Sequence, residues 1–455
     1  MEKTKLKTGS RTVHQVIGEH MIADGLDLVV DLQKSTGSKI YDSKTEQYFL
    51  DFFGCFATFP VGYNHPKLTS QEAIQNLGRT AVQKPSNSDL YSQEMADFVD
   101  TFGRVALPDF MKYLFFIDGG ALAVENALKV AFDWKVRKNL AKGLSEEKGQ
   151  QIMHFRQAFH GRSGYTLSLT NTADPRKTQY FPKFAWPRVL NPKCKFPLEG
   201  ENLAAVKEAE SQSLAQIRSA IAEYPDDIAA IILEPIQGEG GDNHFRLEFH
   251  QALRQICNDH DILMIYDEVQ TGFGATGKMW ACEHFVHPDI IAFGKKAQVC
   301  GIMVGERIDE VPENVFHTSS RINSTWGGNL VDMVRCRLFL EIYEEEKLVE
   351  RAAQMGELLL AELHKLQSDF PNLISNVRGR GLFCALDLPS RELRDELRRQ
   401  LFKHKVIMLG CGESAIRFRT SLNIPEEDLR LGIRLLRETL QEAPFANWAG
   451  SKQVT

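Results

Sequence analysis

The chain has 455 residues, of which 43% are hydrophobic and 25% charged, and its formal net charge at pH 7 is −6. These proportions are typical of a globular protein long enough for two or three domains. The sequence has no basic stripe and no apolar run of about 18 residues, which argues against nucleic acid as the main partner and against a membrane-spanning helix. Its eight cysteines are scattered without a C-x-x-C pair. We therefore expect no metal centre and a reducing, cytoplasmic location.

The first part of the chain predicts a small antiparallel meander. Residues 27–55 alternate extended runs such as LDLVVDLQ and QYFLDFFG with turn sequences such as STGSK, which is the pattern of short strands joined by tight turns. We assign residues 1–75 to an N-terminal segment that forms part of a small domain.

From about residue 90 the pattern changes to helices that alternate with apolar strands. Uniformly apolar strands joined by helices are typical of a parallel sheet that is covered on both faces. We therefore predict an α/β protein with a mostly parallel sheet in a large domain at residues 76–330. The predicted elements are a helix at 91–105, a strand at 112–117, a helix at 120–141, a strand at 151–156, a helix near 201–223, a strand at 228–235, a helix near 246–260 and a strand at 262–269.

Residues 331–455 predict a smaller α+β domain. A long amphipathic helical region at 331–367 comes first. No repeat or low-complexity linker precedes it, so we expect one packed body. The elements after it are the strand GLFCALDLP, a helix at 390–404, the strands VIMLGC and AIRFRTSL, and a last helix at 425–443.

Charged side chains follow three of the apolar runs, where a doubly wound sheet binds its ligands. They are Glu234 and Glu239 around a Gly-rich loop, Asp267 and Glu268 after ILMIY, and Lys295 and Lys296 after IIAFG. Asp267 and Glu268 have a simpler explanation as a helix cap or a loop salt bridge.

A lysine at a strand end in a desolvated pocket suggests a nucleophilic amine. Burial lowers the pKa of the amine, and the neutral amine attacks a carbonyl group to form a Schiff base. Pyridoxal 5'-phosphate is the cofactor that pairs such a lysine with an aspartate, which keeps the ring nitrogen protonated. Asp267 and Lys296 are separated by about one strand–helix–strand step, so we expect them at neighbouring strand ends.

The string FFIDGGALAVENALK supplies a candidate phosphate cradle. A strand ends at Ile117, two glycines follow, and a helix begins at once. Because a helix N-terminus presents free N–H groups, it binds anions. Gly120 and Ala121 are the expected donors, although the spacing matches neither G-x-G-x-x-G nor a Walker loop.

Seven strings of the chain belong together: KPSNSDLYS, IDGGALAVENALKVAFDWK, AFHGRSGYTLSLTNT, EPIQGEGGDNHFR, DEVQTG, AFGKKAQVCG and NSTWGGNL. They resemble the class III aminotransferases of the pyridoxal-phosphate fold-type I group. Within this family the resemblance is closest to members that transfer the ε-amino group of L-lysine to 2-oxoglutarate, and it implies a homodimer with shared sites. RGRGL and IRFR extend the likeness into the last domain, whereas RTSL replaces the family's RPPL and puts a local loop conformation in doubt.

The resemblance implies roles for residues around the cofactor. Lys296 would bind the cofactor covalently and act as the catalytic base, while Lys295 would face the other way, solvated or ion-paired. The alternative is that Lys295 is the covalent lysine. Phe159 would stack on one face of the ring with His160 beside it, and Asp267 would pair with the ring nitrogen.

The resemblance also implies contacts with the cofactor for two further residues. Gln270 would bond the phenolic oxygen near the substrate, and Thr325 would reach the phosphate bound by the partner subunit. Phe159 has a simpler explanation as a core residue, and Thr325 as a helix cap before WGGNLVDM.

The same resemblance implies how two different substrates share one pocket. Arg162 would bind the carboxylate distant from the reacting carbon, because its guanidinium is a bidentate fork. Arg417 would bind the carboxylate beside the reacting carbon of glutamate or 2-oxoglutarate. Glu239 would pair with Arg417 when lysine is bound and swing away for 2-oxoglutarate. The alternative for Glu239 is a permanent structural ion pair.

Three rival functions stay open from the sequence. The first is another aminotransferase of the class, acting on ornithine, 4-aminobutyrate or a diamine. The second is an aminomutase or racemase, which needs no external keto acid. The third is a binding or structural protein that keeps the fold without the chemistry.

Overall fold

The computed structural model describes residues 9 and 12–450 and confirms the predicted α/β class. Among these residues no helix is long and apolar enough to cross a bilayer. The strands, β1 to β15 in chain order, are Val30–Thr36, Lys39–Asp42, Gln47–Asp51, Met111–Ile117, Gln151–Phe155, Arg188–Val189, Ile228–Leu233, Leu263–Asp267, Ile290–Phe293, Cys300–Gly305, Ser375–Arg380, Phe383–Asp387, Val406–Ile407, Leu409–Cys411 and Ala415–Phe418. The α-helices longer than one turn are Val13–Gly18, Gln71–Val82, Gln93–Val105, Gly120–Ala141, Gly164–Leu169, Gly200–Glu223, Leu247–Asp259, Leu330–Glu346, Leu348–Asp369, Arg391–Lys403, Glu426–Gln441 and Phe445–Gly450.

The largest sheet has seven strands in the order β4–β10–β9–β8–β7–β5–β6. Every residue of β7, β8 and β9 is buried, as expected for apolar strands covered on both faces. The strands run parallel except β10, which is antiparallel to both of its neighbours. The chain between β9 and β10 is too short for a parallel crossover, which needs about a dozen residues or more.

Two four-stranded sheets lie outside the central one. The predicted meander is present as β1–β3, and β13 from the C-terminal part of the chain adds to β3 in parallel. The run VIMLGC, predicted as one strand, is therefore divided: β13 joins the meander, while β14 joins the sheet β11–β12–β15–β14. The boundaries 1–75, 76–330 and 331–455 stay a prediction, and residues 1–8, 10, 11 and 451–455 lie outside the described part.

The long helical region after residue 330 is interrupted. Lys347 adopts a left-handed conformation with φ 50° and ends one helix at Glu346, and the next begins at Leu348. Glycine or asparagine usually marks such a cap, and the sequence has neither at this position. The amphipathic pattern therefore concealed the break.

Candidate active site

The carboxyl ends of β8 and β9 and the start of the helix Gly120–Ala141 surround a cavity of about 590 Å³, here called the strand-end cavity. This volume suits a small cofactor. Six of the residues predicted at the cofactor line it: Gly120, Ala121, Phe159, His160, Asp267 and Gln270.

The structure corrects the expected orientation of the double lysine. Lys295 lines the strand-end cavity, whereas Lys296 is 3% exposed and donates to the carbonyl oxygens of Phe59 at 3.1 Å and Thr420 at 3.3 Å. Lys295 has a left-handed backbone with φ 44° at the start of a 3-10 turn. This conformation is uncommon outside glycine and breaks the alternation of side chains that a strand would impose. Spacing alone could not have shown which amine faces the cavity.

The pKa values of both lysine amines are lowered, which favours their neutral forms. Burial lowers the pKa of Lys295 to about 8, and the positive charges of Arg417 and Arg419 add to the effect. Burial also lowers the pKa of Lys296 to about 7, reinforced by Arg419 and opposed by Asp51. Both amines are therefore partly neutral near physiological pH, and access to the cavity is what distinguishes them.

We expect acetic anhydride to modify Lys295 in preference to Lys296 in cofactor-free protein. Only the neutral amine reacts, so modification should rise with pH through a midpoint near 8, about two units below an ordinary lysine. Lys296 should stay unmodified in the folded protein because carbonyl oxygens enclose its amine. Peptide mass spectrometry with fragmentation separates the two positions, and faster modification of Lys296 would contradict the orientation described.

Asp267 is held in place at the carboxyl end of β8. One carboxylate oxygen accepts from the Val269 amide at 3.1 Å, and the other lies 2.8 Å from Nδ1 of the buried His160. Nε2 of His160 has no hydrogen-bond partner among the described residues. This contact fixes the direction in which the Asp267 carboxylate points.

The loop that carries Phe159 and His160 lies close to the start of the helix Gly120–Ala141. Gly161 has φ 122°, and a side chain there would begin 2.6 Å from Cβ of Ala121. A glycine is therefore required at this close approach.

Two carboxylates noted in the sequence have mainly structural contacts. Glu234 accepts from the amides of Phe159 and Gly238, both at 2.9 Å, and burial raises its pKa to about 7. Glu268 accepts from the amides of Ala281 and Cys282. Neither needs a ligand to satisfy its oxygens, which favours a structural role for both.

Arg417 and Glu239 form an ion pair in a neighbouring cavity of about 700 Å³, here called the Glu239 cavity. Arg417, on β15, is buried, and its Nη2 lies 2.7 Å from Oε2 of Glu239. Gln270 links the two cavities, because its Oε1 accepts from Nη1 of Arg417 at 3.3 Å. Burial works to raise the pKa of Glu239, but Arg417 and Lys177 outweigh it and hold the pKa of this carboxyl below its ordinary value.

Two predicted residues lie at the margin of this arrangement. Arg162 lines the strand-end cavity with an exposed side chain. Thr325 is also exposed, and it is absent from the described lining of both cavities in its own chain.

Several residues of the site were missed. Thr58, Gln298 and Arg335 line the strand-end cavity, and Arg335 donates to Gln298 at 3.1 Å. Lys177 reaches Glu239. They come from separate parts of the chain, and no motif joins them.

The fold and this site define an aminotransferase. The family model described as aminotransferase class-III matches residues 21–440, and the chain belongs to that family. It is therefore a pyridoxal-phosphate-dependent enzyme. It is 51% identical over 430 residues to the L-lysine-epsilon aminotransferase of Mycobacterium tuberculosis, covering 94% of this chain and 95% of that protein.

Two further comparisons agree. The L-lysine-epsilon aminotransferase of Streptomyces clavuligerus is 48% identical over 436 residues, which cover 95% of this chain and 94% of that protein. A solved structure of the lysine aminotransferase from M. tuberculosis matches with a TM-score of 0.93 and 50% identity, covering 95% of this chain and 99% of that one.

The strand-end cavity fits pyridoxal phosphate. The helix beginning at Gly120 would present free N–H groups to the phosphate. Asp267 would present a carboxylate to the ring nitrogen and Lys295 an amine to the aldehyde, since both residues line the cavity. A side chain at position 120 would crowd this cavity, because its Cβ would lie 2.9 Å from Cγ1 of Val269, which also lines the cavity.

We expect Gly120→Ala to weaken cofactor binding about tenfold, because crowding of a packed site typically costs 1–3 kcal/mol. Titration of cofactor-free protein with pyridoxal phosphate measures the affinity. Gly78→Ala is the matched control, since this helical glycine has no atom within 4 Å of the added carbon. Equal affinity for both variants would show that the phosphate lies elsewhere.

Proposed function

We propose that this aminotransferase transfers the ε-amino group of L-lysine to 2-oxoglutarate, giving 2-aminoadipate 6-semialdehyde and L-glutamate. The observation that carries the proposal is the buried Arg417 paired with a half-buried Glu239 at 2.7 Å. Identity of 51% to an L-lysine-epsilon aminotransferase supports it.

The ion pair suits an enzyme that accepts two differently charged groups in turn. At its ε-carbon lysine carries no carboxylate, so Arg417 keeps Glu239 as its partner. 2-Oxoglutarate brings a carboxylate beside the reacting carbon, which replaces Glu239. A buried charge left without a partner would cost about 3–5 kcal/mol, and the exchange avoids this cost in both halves of the reaction.

The side chains of the strand-end cavity have separate tasks in this reaction. When bound, pyridoxal phosphate supplies an aldehyde that exchanges amino groups and a ring that withdraws electrons. Asp267 would hold the proton on the ring nitrogen, and Phe159 would cover one face of the ring. We assign Lys295, in place of Lys296, as the covalent lysine and general base, because Lys295 lines the cavity, whereas the amine of Lys296 donates to the carbonyl oxygens of Phe59 and Thr420.

The base acts on the carbon that carries the reacting amine. Nζ of Lys295 takes a proton from the ε-carbon of lysine, and its lowered pKa, about 8, makes the neutral form available. Arg162 would hold the α-carboxylate of lysine through its guanidinium fork.

The proposal includes a homodimer in the cytoplasm. Thr325 is exposed beside Trp326, whose side chain is 45% exposed, and we propose that this segment reaches the phosphate site of the partner subunit. Eight free cysteines support a reducing compartment.

Initial rates test the proposed substrates. With 2-oxoglutarate as acceptor, lysine should react faster than ornithine or 4-aminobutyrate, and the visible absorbance of the enzyme should bleach with lysine and return with 2-oxoglutarate. Faster turnover of ornithine or 4-aminobutyrate would overturn the choice of lysine. Turnover without a keto acid would instead indicate an aminomutase or racemase.

A further inference from the structure

Glu239 has a second cationic partner besides Arg417. Nζ of Lys177 lies 2.6 Å from Oε1 of Glu239, while Nη2 of Arg417 lies 2.7 Å from Oε2. Each cation therefore holds a different oxygen of one carboxylate. Loss of the contact with Arg417 would therefore leave the oxygen held by Lys177 in place.

The local fold keeps Lys177 beside Glu239. Lys177 ends a 3-10 turn, Pro175–Lys177, whose first residue follows Asp174, and the Asp174 carboxylate accepts from the Arg176 amide at 3.2 Å. The Arg176 guanidinium is also paired with Asp174, at 2.9 Å. Of the two basic residues in this turn, Arg176 is therefore paired with Asp174 and Lys177 with Glu239. The Lys177 amine also lies 5.7 Å from the centre of the Phe159 ring.

A displaced Glu239 needs a partner of its own. When a substrate carboxylate takes its place on Arg417, Glu239 becomes a half-buried carboxylate that has lost one of its two cations. Hydrogen bonds to charged groups contribute more than neutral ones. Without Lys177, this carboxylate would oppose substrate binding at Arg417.

We propose that Lys177 is a positioning residue that retains Glu239 after Arg417 has exchanged it for the carboxylate of 2-oxoglutarate. The inference rests on the proposed function, in which Arg417 alternates between Glu239 and substrate. It assigns to Lys177 an effect on one half of the reaction only. Lysine leaves the Arg417–Glu239 pair intact, so its half-reaction does not need the second cation.

Separate measurement of the two half-reactions tests this role. We expect Lys177→Met to raise the KM for 2-oxoglutarate about tenfold or more, while the KM for lysine changes by less than about threefold. Lys177→Arg should restore most of the loss. Arg176→Met is the matched control, because it removes a positive charge from the same turn, and that charge is paired with Asp174 rather than with Glu239. Thermal unfolding of each variant checks that it folds.

A double-mutant cycle separates this role from direct contact between Lys177 and the substrate. In a Glu239→Gln background, Lys177→Met should have little further effect on the KM for 2-oxoglutarate. A penalty of full size in that background, or equal penalties on both half-reactions, would overturn the proposal. Failure of the unaltered enzyme to respond to lysine or 2-oxoglutarate would instead overturn the proposed function.

Discussion

Lys295→Ala is expected to abolish the visible absorbance of the bound cofactor and to reduce turnover by about four orders of magnitude. The variant removes both the amine that binds the aldehyde and the base that moves the proton, and general base catalysis alone contributes typically 10²–10⁴-fold. Lys295 lines the strand-end cavity, whereas the amine of Lys296 donates to the carbonyl oxygens of Phe59 and Thr420. Absorbance spectra and steady-state rates measure both effects.

Lys296→Ala is the matched comparison, because it removes the same group one residue away. Lys296 donates to two carbonyl oxygens and lies near the buried Asp51, so its loss should lower the free energy of unfolding while the absorbance survives. Reduction with borohydride followed by fragmentation of the peptide should locate the cofactor on position 295. An adduct at position 296, together with an active Lys295→Ala protein, would restore the assignment made from the sequence.

The sequence predicted those parts of the fold that depend on repeated local patterns. The helix at 120–141 was predicted with the bounds it has in the structure, because an unbroken helical pattern follows two glycines there. The buried strands β7 and β8 are uniformly apolar up to their last residues. Because a carboxylate directly after such an apolar run lies at the end of a buried strand, the pattern alone was enough to place Asp267.

The parts that were missed depend on single backbone conformations or on distant contacts. Which of two adjacent lysines faces the cavity is decided by one left-handed residue, Lys295. The division of VIMLGC between two sheets is decided by pairing of β13 with the distant β3. Lys177 lies in a polar loop with no motif, and its partner Glu239 is identified only by the folded chain.

Arg417→Gln is expected to slow the half-reaction with 2-oxoglutarate much more than the half-reaction with lysine. The half-reaction with 2-oxoglutarate should slow by about two to three orders of magnitude, because the carboxylate beside the reacting carbon loses a buried cation worth about 3–5 kcal/mol. The half-reaction with lysine should slow by less than about tenfold, since Glu239 keeps Lys177 at 2.6 Å. Single-turnover absorbance changes with each substrate measure the two rates separately.

Arg398→Gln is the matched control for this variant. Arg398 also lines the Glu239 cavity, but its Nε donates to the Met408 carbonyl and its Nη1 to Asp395. The control removes one positive charge from the cavity and should leave the ratio of the two half-reactions unchanged. If Arg417→Gln slowed both half-reactions equally, the Arg417–Glu239 pair would be a permanent structural ion pair. Selectivity between lysine and 2-oxoglutarate would then have to come from the strand-end cavity alone.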